Sequence, residues 1–332
     1  RDRSVSRGLG DVYKRQSRTV KIVLAPFNGG QPHGGVDLGP DYMMKHGLRY
    51  QIEEKLKWKT EVLEPLDGLN LENLKKEADL KEKITKPTIK RADLVALANK
   101  KIYESCRDGI NKGEFQLTIG GDHSIAIGSV AGLLSRHPNA GLIWIDAHAD
   151  INTVNTTETG NLHGCPVSFL ANMDRKDWPE SFKWIPENLL ATDKIAYIGL
   201  RDVDEAEKKI LRDNNIKAFS MYHIDRFGIN SVVEQAIAHI SKGDKDCPIM
   251  VSYDVDAIDP EASVKCTGTK VDFGLNNREA LFLCERICET GNVVALDVVE
   301  VNPTLGADEK EILKTVAIGC SIVRCSLGET LL

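Results

Sequence analysis

The chain has 332 residues, 42% of them hydrophobic and 28% charged, the balance of a folded protein with a sizeable core rather than of a disordered segment. Its formal charge of -6 excludes the broad basic face that displaces phosphate counterions, so no nucleic-acid partner is expected. No apolar stretch reaches membrane-spanning length, no signal peptide is visible at the start, and the eight cysteines show no paired C-x-x-C spacing. A cytoplasmic protein with free thiols and no membrane partner is the expectation.

In chain order, residues 1–16 are set apart as an adapter-derived or disordered extension, because Ser6–Gln16 resembles a translated sequencing-library adapter. Residues 17–332 read as a single domain, without a Pro/Gly/Ser-rich linker. Val20–Leu24 predicts the first strand, and Lys90–Asn111 a long helix. The run Gln116–Ile119 predicts a strand that leads into Gly120-Gly121-Asp122-His123, followed by a helix over Ile125–Arg136. Leu142–Ile145 then leads into Asp146-Ala147-His148-Ala149-Asp150, and Ile195–Ile198 into Arg201-Asp202-Val203-Asp204. Helices are expected over Glu205–Asn214 and Ile229–Ser241. Ile249–Tyr253 leads into Asp254-Val255-Asp256, Arg278–Thr290 is helix-like, Val293–Val299 leads into Glu300-Val301-Asn302-Pro303, and Glu309–Arg324 closes the pattern.

Near-continuous apolar runs suit strands buried on both faces, and their alternation with helices predicts an α/β doubly wound sandwich with a mostly parallel central sheet and helices on both faces. Ligands in such sheets collect at the carboxyl ends of the strands. Five of these ends carry polar, mostly acidic clusters, so one histidine-containing rim is expected.

Asp146, His148 and Asp150 alternate, and so do Asp254 and Asp256; an extended chain would point each set to one face. With His123 they offer two imidazoles and four carboxylates, a concentration of negative charge that burial penalises unless cations are present. Oxygen donors with a minority of histidine favour manganese or magnesium over zinc. Asp and His after a strand also cap helices or satisfy loop amides, but three such clusters at separate strand ends argue for the metal site.

Gly120-Gly121-Asp122-His123-Ser124, Asp146–Asp150 and Ser252–Pro260 resemble the three signatures of the ureohydrolase superfamily, whose members hydrolyse guanidino groups. The resemblance covers about residues 19–326. It implies two manganese ions per subunit, one held by His123, Asp146, Asp150 and Asp254, the other by His148, Asp146, Asp254 and Asp256, with Asp146 and Asp254 bridging. A hydroxide shared by the two ions would attack the guanidinium carbon. Asp150 would hold it and pass its proton to the departing amine, Glu300 would hold the guanidinium, and His163 would shuttle protons to solvent.

Substrate choice is read from Asp150–Pro166, which resembles the arginase version of this stretch. By that resemblance Asn152, Thr157 and Thr159 would contact the α-carboxylate of L-arginine, Asp204 the α-ammonium with Glu207 behind it, and Thr269 would lie near the substrate. Thr159 stands where arginases usually carry serine, and Phe273 replaces a usual glycine. Family members are commonly trimers, and Arg278-Glu279 falls where arginases place an intersubunit ion pair, so a homotrimer is expected. The alternatives are another ureohydrolase, such as an agmatinase, whose substrate has no carboxylate, or a guanidinobutyrase, or a catalytically silent binding protein on the same fold. A one-zinc deacetylase-like hydrolase holds fewer carboxylates than are present here.

Overall fold

The computed structural model describes residues 19–330, so the extension assigned to residues 1–16 lies outside the described residues. The apolar runs form the strands β1 (Thr19–Ala25), β3 (Phe115–Gly120), β4 (Gly141–Ile145), β5 (Ile195–Leu200), β7 (Ile249–Asp254) and β8 (Val293–Val299). Every residue of β3, β4, β5 and β7 is buried. Two further strands, β2 (Lys59–Leu63) and β6 (Lys217–Ser220), escape the sequence reading because they lie at the two edges and carry exposed or half-exposed lysines. The order is β2-β1-β3-β8-β7-β4-β5-β6, and each neighbouring pair is parallel.

Helices cover both faces: α1 (Gly39–Lys45), α2 (Leu71–Thr85), α3 (Ala92–Asp108), α4 (Ala126–Arg136), α5 (Pro166–Leu170), α6 (Glu205–Asp213), α7 (Met221–Phe227), α8 (Ile229–Ser241), α9 (Asn277–Cys288) and α10 (Glu309–Ser326). Strand alternation sends Ile143 and Ile145 to the layer shared with α8, α9 and α10, while Leu142 and Trp144 face the α4 side. Each such fully buried aliphatic side chain contributes roughly 1.5–3 kcal/mol of transfer free energy. Helix α2 is the exception: none of its fifteen residues is buried, and Leu80 and Ile84 are mostly exposed.

The chain passes from β3 to β4 across two positions that β8 and β7 later fill. Four adjacent strands, β3, β8, β7 and β4, therefore end side by side, and their carboxyl ends open into the crevice where such sheets bind ligands.

Candidate metal centre

The turn after β3 aims His123. Gly121 passes so close to the preceding segment that a Cβ on it would stand 1.8 Å from the Phe27 carbonyl oxygen. Beyond it, the Asp122 carboxylate accepts from the Gly30 amide at 2.8 Å and the Ser124 amide at 3.0 Å, capping a short 3-10 turn over His123–Ile125. The Glu300 amide donates to the Gly121 carbonyl at 2.9 Å, and the His123 amide returns a bond to Glu300 Oε1 at 2.9 Å, which clamps the ends of β3 and β8 together.

Two groups of side chains that can hold a metal ion result: His123, Asp146 and Asp254, and Asp146, His148 and Asp256. Asp146 belongs to both, as the expected bridge does, whereas Asp254 belongs to the first group alone. His123 Nδ1 lies 3.1 Å from Asp146 Oδ2, 3.1 Å from Asp150 Oδ2 and 3.4 Å from Asp254 Oδ2. His148 Nδ1 lies 3.3 Å from Asp146 Oδ1 and 3.2 Å from Asp256 Oδ2. All six expected ligands are thus brought together, but not by the expected extended backbone. Strand β4 stops at Ile145, Asp150 adopts a left-handed conformation with φ of 50°, and Val255–Ala257 is a 3-10 turn capped by the Asp254 carboxylate. The side chains converge because the chain bends after each strand.

This arrangement fits cations. The buried His123 Nδ1 has no hydrogen-bond partner although three carboxylate oxygens surround it, more acceptors than one N–H can serve. Burial and the neighbouring Asp146 push Asp150 up to about 6, and burial with like charge also raises Asp254. The imidazoles of His123 and His148 resist burial yet are driven upward by the surrounding carboxylates. Such mutual shifts mark negative charge waiting for a positive partner.

Residues that the sequence did not single out support this cage. Trp144 stacks on His123 with ring centroids 4.0 Å apart and donates from Nε1 to Asp146 Oδ2 at 2.9 Å. Behind His123, Nε2 meets Ser252 Oγ at 2.9 Å, and the buried Asp297 accepts from Ser129 at 2.6 Å and from Ser252 at 3.5 Å. Parallel register sets Thr118, Asp297, Ser252, Trp144 and Tyr197 in one row across five strands. Only the pairing of distant strands reveals that row. Gln31, also missed, donates to Glu300 Oε2 at 2.7 Å.

A cavity of about 220 Å³ opens above the cage and is lined by His148, Asp150, Asn152, Thr157, Thr159, His163, Asp204, Glu207, Asp254 and Thr269 among others. Glu300 is brought close, with Oε1 3.8 Å from His163 Nδ1, but it is buried and does not line this cavity. Several expected substrate contacts already have internal partners. Asn152 Nδ2 donates to Asp204 Oδ2 at 2.8 Å, Thr157 and Thr159 accept from the loop amides of Gly160 and Asn161, and Thr269 donates to Asp256 Oδ2 at 2.8 Å. Asp204 and Glu207 form the capping box that starts α6, and Glu207 also accepts from the Ile151 amide at 3.0 Å, next to Asp150. Burial, with Asp150 nearby, pushes Glu207 up to about 7. Phe273 stands 86% exposed with φ of 66°, a conformation that favours the glycine usual at that place.

The model of the arginase family matches residues 18–328. The arginase of Eremothecium gossypii is 54% identical over 318 residues, which cover 96% of this chain and 77% of its own. The arginase of Saccharomyces cerevisiae is 52% identical over 326 residues, covering 96% and 97%. The crystal structure of arginase from Bacillus cereus superposes with a TM-score of 0.82 at 30% identity, covering 95% of this chain and 99% of its own. Matching over nearly its whole length in sequence and in fold, the chain belongs to the arginase family.

Proposed function

We propose that this protein hydrolyses L-arginine to L-ornithine and urea with two manganese ions bound at the cage. The observation that carries the reading is the convergence of His123, His148, Asp146, Asp150, Asp254 and Asp256 under one acidic cavity, in a chain 54% and 52% identical to two arginases. His123, Asp146, Asp150 and Asp254 would hold one ion, and His148, Asp146, Asp254 and Asp256 the other; this hard, oxygen-rich donor set suits manganese. When bound, the pair supplies Lewis acidity that turns water into a nucleophile near neutral pH.

The chain's own residues do the rest. The hydroxyls of Thr157 and Thr159 and the amide of Asn152 meet the α-carboxylate, while Asp204, braced by Glu207, meets the α-ammonium. Glu300, buried behind the cavity wall beside His163, would accept from a guanidinium that reaches past that wall and would hold it in line. Asp150 takes the proton of the attacking water and delivers it to the departing amine. His163 carries protons between the cavity and solvent; burial opposes its charge, but Glu300, Asp150 and Asp122 outweigh this and raise its pKa.

Urea release from arginine, agmatine and guanidinobutyrate after manganese loading tests the assignment. Arginine should be the strongly preferred substrate, and preference for agmatine would reassign the chain to another ureohydrolase. We further propose a homotrimer with Arg278 and Glu279 at the interface; Arg278 is exposed, whereas Glu279 also completes the capping box of α9 with Asn276. Light scattering checks the mass. We place the protein in the cytoplasm on its thiols: all eight cysteines are free, and all but Cys288 are buried. No helix of the described residues is long and apolar enough to cross a membrane.

A further inference from the structure

Gln31 sits where no ordinary surface amide would, 1% exposed and against Glu300. Its Nε2 donates to Glu300 Oε2 at 2.7 Å, and its Oε1 has no hydrogen-bond partner. A buried amide that leaves its own acceptor unserved is oriented by its backbone and not by its own satisfaction. That backbone is pinned from both sides. The Gly30 amide donates to Asp122 and the Gly30 carbonyl accepts from the His163 amide at 3.1 Å. The Gln31 carbonyl accepts from Arg91 Nη1 at 2.8 Å, and Arg91 is held in turn by Asp79 of α2, which accepts from its Nε at 2.6 Å. Glu300 follows the end of β8 with a left-handed backbone, φ 66°, and its carboxylate is placed there by hydrogen bonds from the His123 amide and from Gln31.

We propose that Arg91, Gln31 and Glu300 form a positioning chain, in which Arg91 fixes the Gln31 main chain and Gln31 fixes the carboxylate that receives the substrate guanidinium. The inference rests on the guanidinium role proposed for Glu300. Gln31 and Arg91 are positioning residues here: one oxygen of Glu300 is taken by the His123 amide and the other by Gln31, which sets the carboxylate plane and leaves its remaining lone pairs in a fixed direction. A small rotation of that plane would misalign the reacting carbon, and displacements near 1 Å cost up to about 100-fold in rate.

The test is steady-state urea release from arginine by the manganese-loaded protein and its variants. Gln31→Met keeps the volume and removes the donor; kcat should fall roughly 10- to 100-fold. Inhibition by L-ornithine, which has no guanidinium, and manganese content read by paramagnetic resonance should both stay unchanged. Arg91→Ala should lower kcat in the same way, and the double variant Arg91→Ala/Gln31→Met should be no slower than Gln31→Met alone, since links of one chain are not additive. If Gln31→Met does not fold, Arg91→Lys carries the test: one donor remains for the Gln31 carbonyl, so kcat should recover above that of Arg91→Ala. Fully additive losses, an equal loss of ornithine binding, or no recovery with lysine would overturn the chain. Absence of urea from the unaltered protein would instead sink the proposed reaction, and normal urea release with indifferent variants would sink the chain alone.

Discussion

Asp150→Asn separates the chemistry of Asp150 from its backbone. At φ 50° an alanine would suffer left-handed strain of about 1–2 kcal/mol, whereas asparagine tolerates this region well. The Asp150 carbonyl still accepts from the Val167 amide, and the Ile151 amide still donates to Glu207, so the loop keeps its fixings. What disappears is one buried carboxylate 3.1 Å from His123 Nδ1. A positioned proton acceptor is worth about 10²- to 10⁴-fold, or roughly 2.7–5.4 kcal/mol of barrier. Urea release at saturating manganese should fall by at least the lower figure, with metal content followed in parallel. Near-full turnover at full metal occupancy would refute the proton-transfer role. A loss cured by raising the manganese concentration would reassign Asp150 to holding the cation alone.

His163→Ala should slow turnover while leaving manganese affinity unchanged, because His163 belongs to neither metal-holding group; added imidazole should restore part of the rate, and loss of metal in a titration would contradict the shuttle role. In chelator-treated protein, the Glu207 pKa raised from 4.5 to about 7 means that the folded state binds more protons than the unfolded between those values. Stability should therefore fall as pH rises through that window, by up to about 3 kcal/mol, and urea denaturation of Glu207→Gln should show a flatter profile. Gly121→Ala sets a methyl group on the Phe27 carbonyl oxygen, so the turn carrying His123 must shift. Thermal unfolding should reveal a loss of more than about 1–3 kcal/mol, and a melting temperature equal to that of the parent would show that the turn yields freely.

The central strands and the candidate cage were readable because burial on both faces imposes continuous apolar runs and because acidic and histidine side chains cluster at the strand ends. Strands β2 and β6 were not, since an edge strand tolerates Lys59, Glu61 and Lys217 and so loses the apolar signal. Helix α2 was hidden for a related reason: its inward face carries only the half-buried Leu71 and Leu74 beside small and polar residues, so its apolar stripe is short. The alternating spacing of Asp146, His148 and Asp150 singled out side chains that do converge, through a local geometry that the chain does not adopt. Trp144, Asp297 and Gln31 carry no mark in their own sequence neighbourhoods, and Ser252, though it opens the Ser252–Pro260 signature, shows no role of its own there. Their roles depend on register between β3, β8, β7 and β4, and on a contact between Gln31 and Glu300, which are 269 residues apart.

Helix α2 is fastened to the body by polar anchors such as Lys75, which donates to Asn28, and the Asp79 pair with Arg91. A segment secured in this way, with only the half-buried Leu71 and Leu74 packed on the core, opens at little cost to the hydrophobic interior, so its amides should exchange with deuterium long before those of the sheet. Added salt weakens charge pairs while leaving apolar packing intact, and it should hasten that exchange selectively. Residues 71–85 would then be the first place where a protease enters the folded molecule.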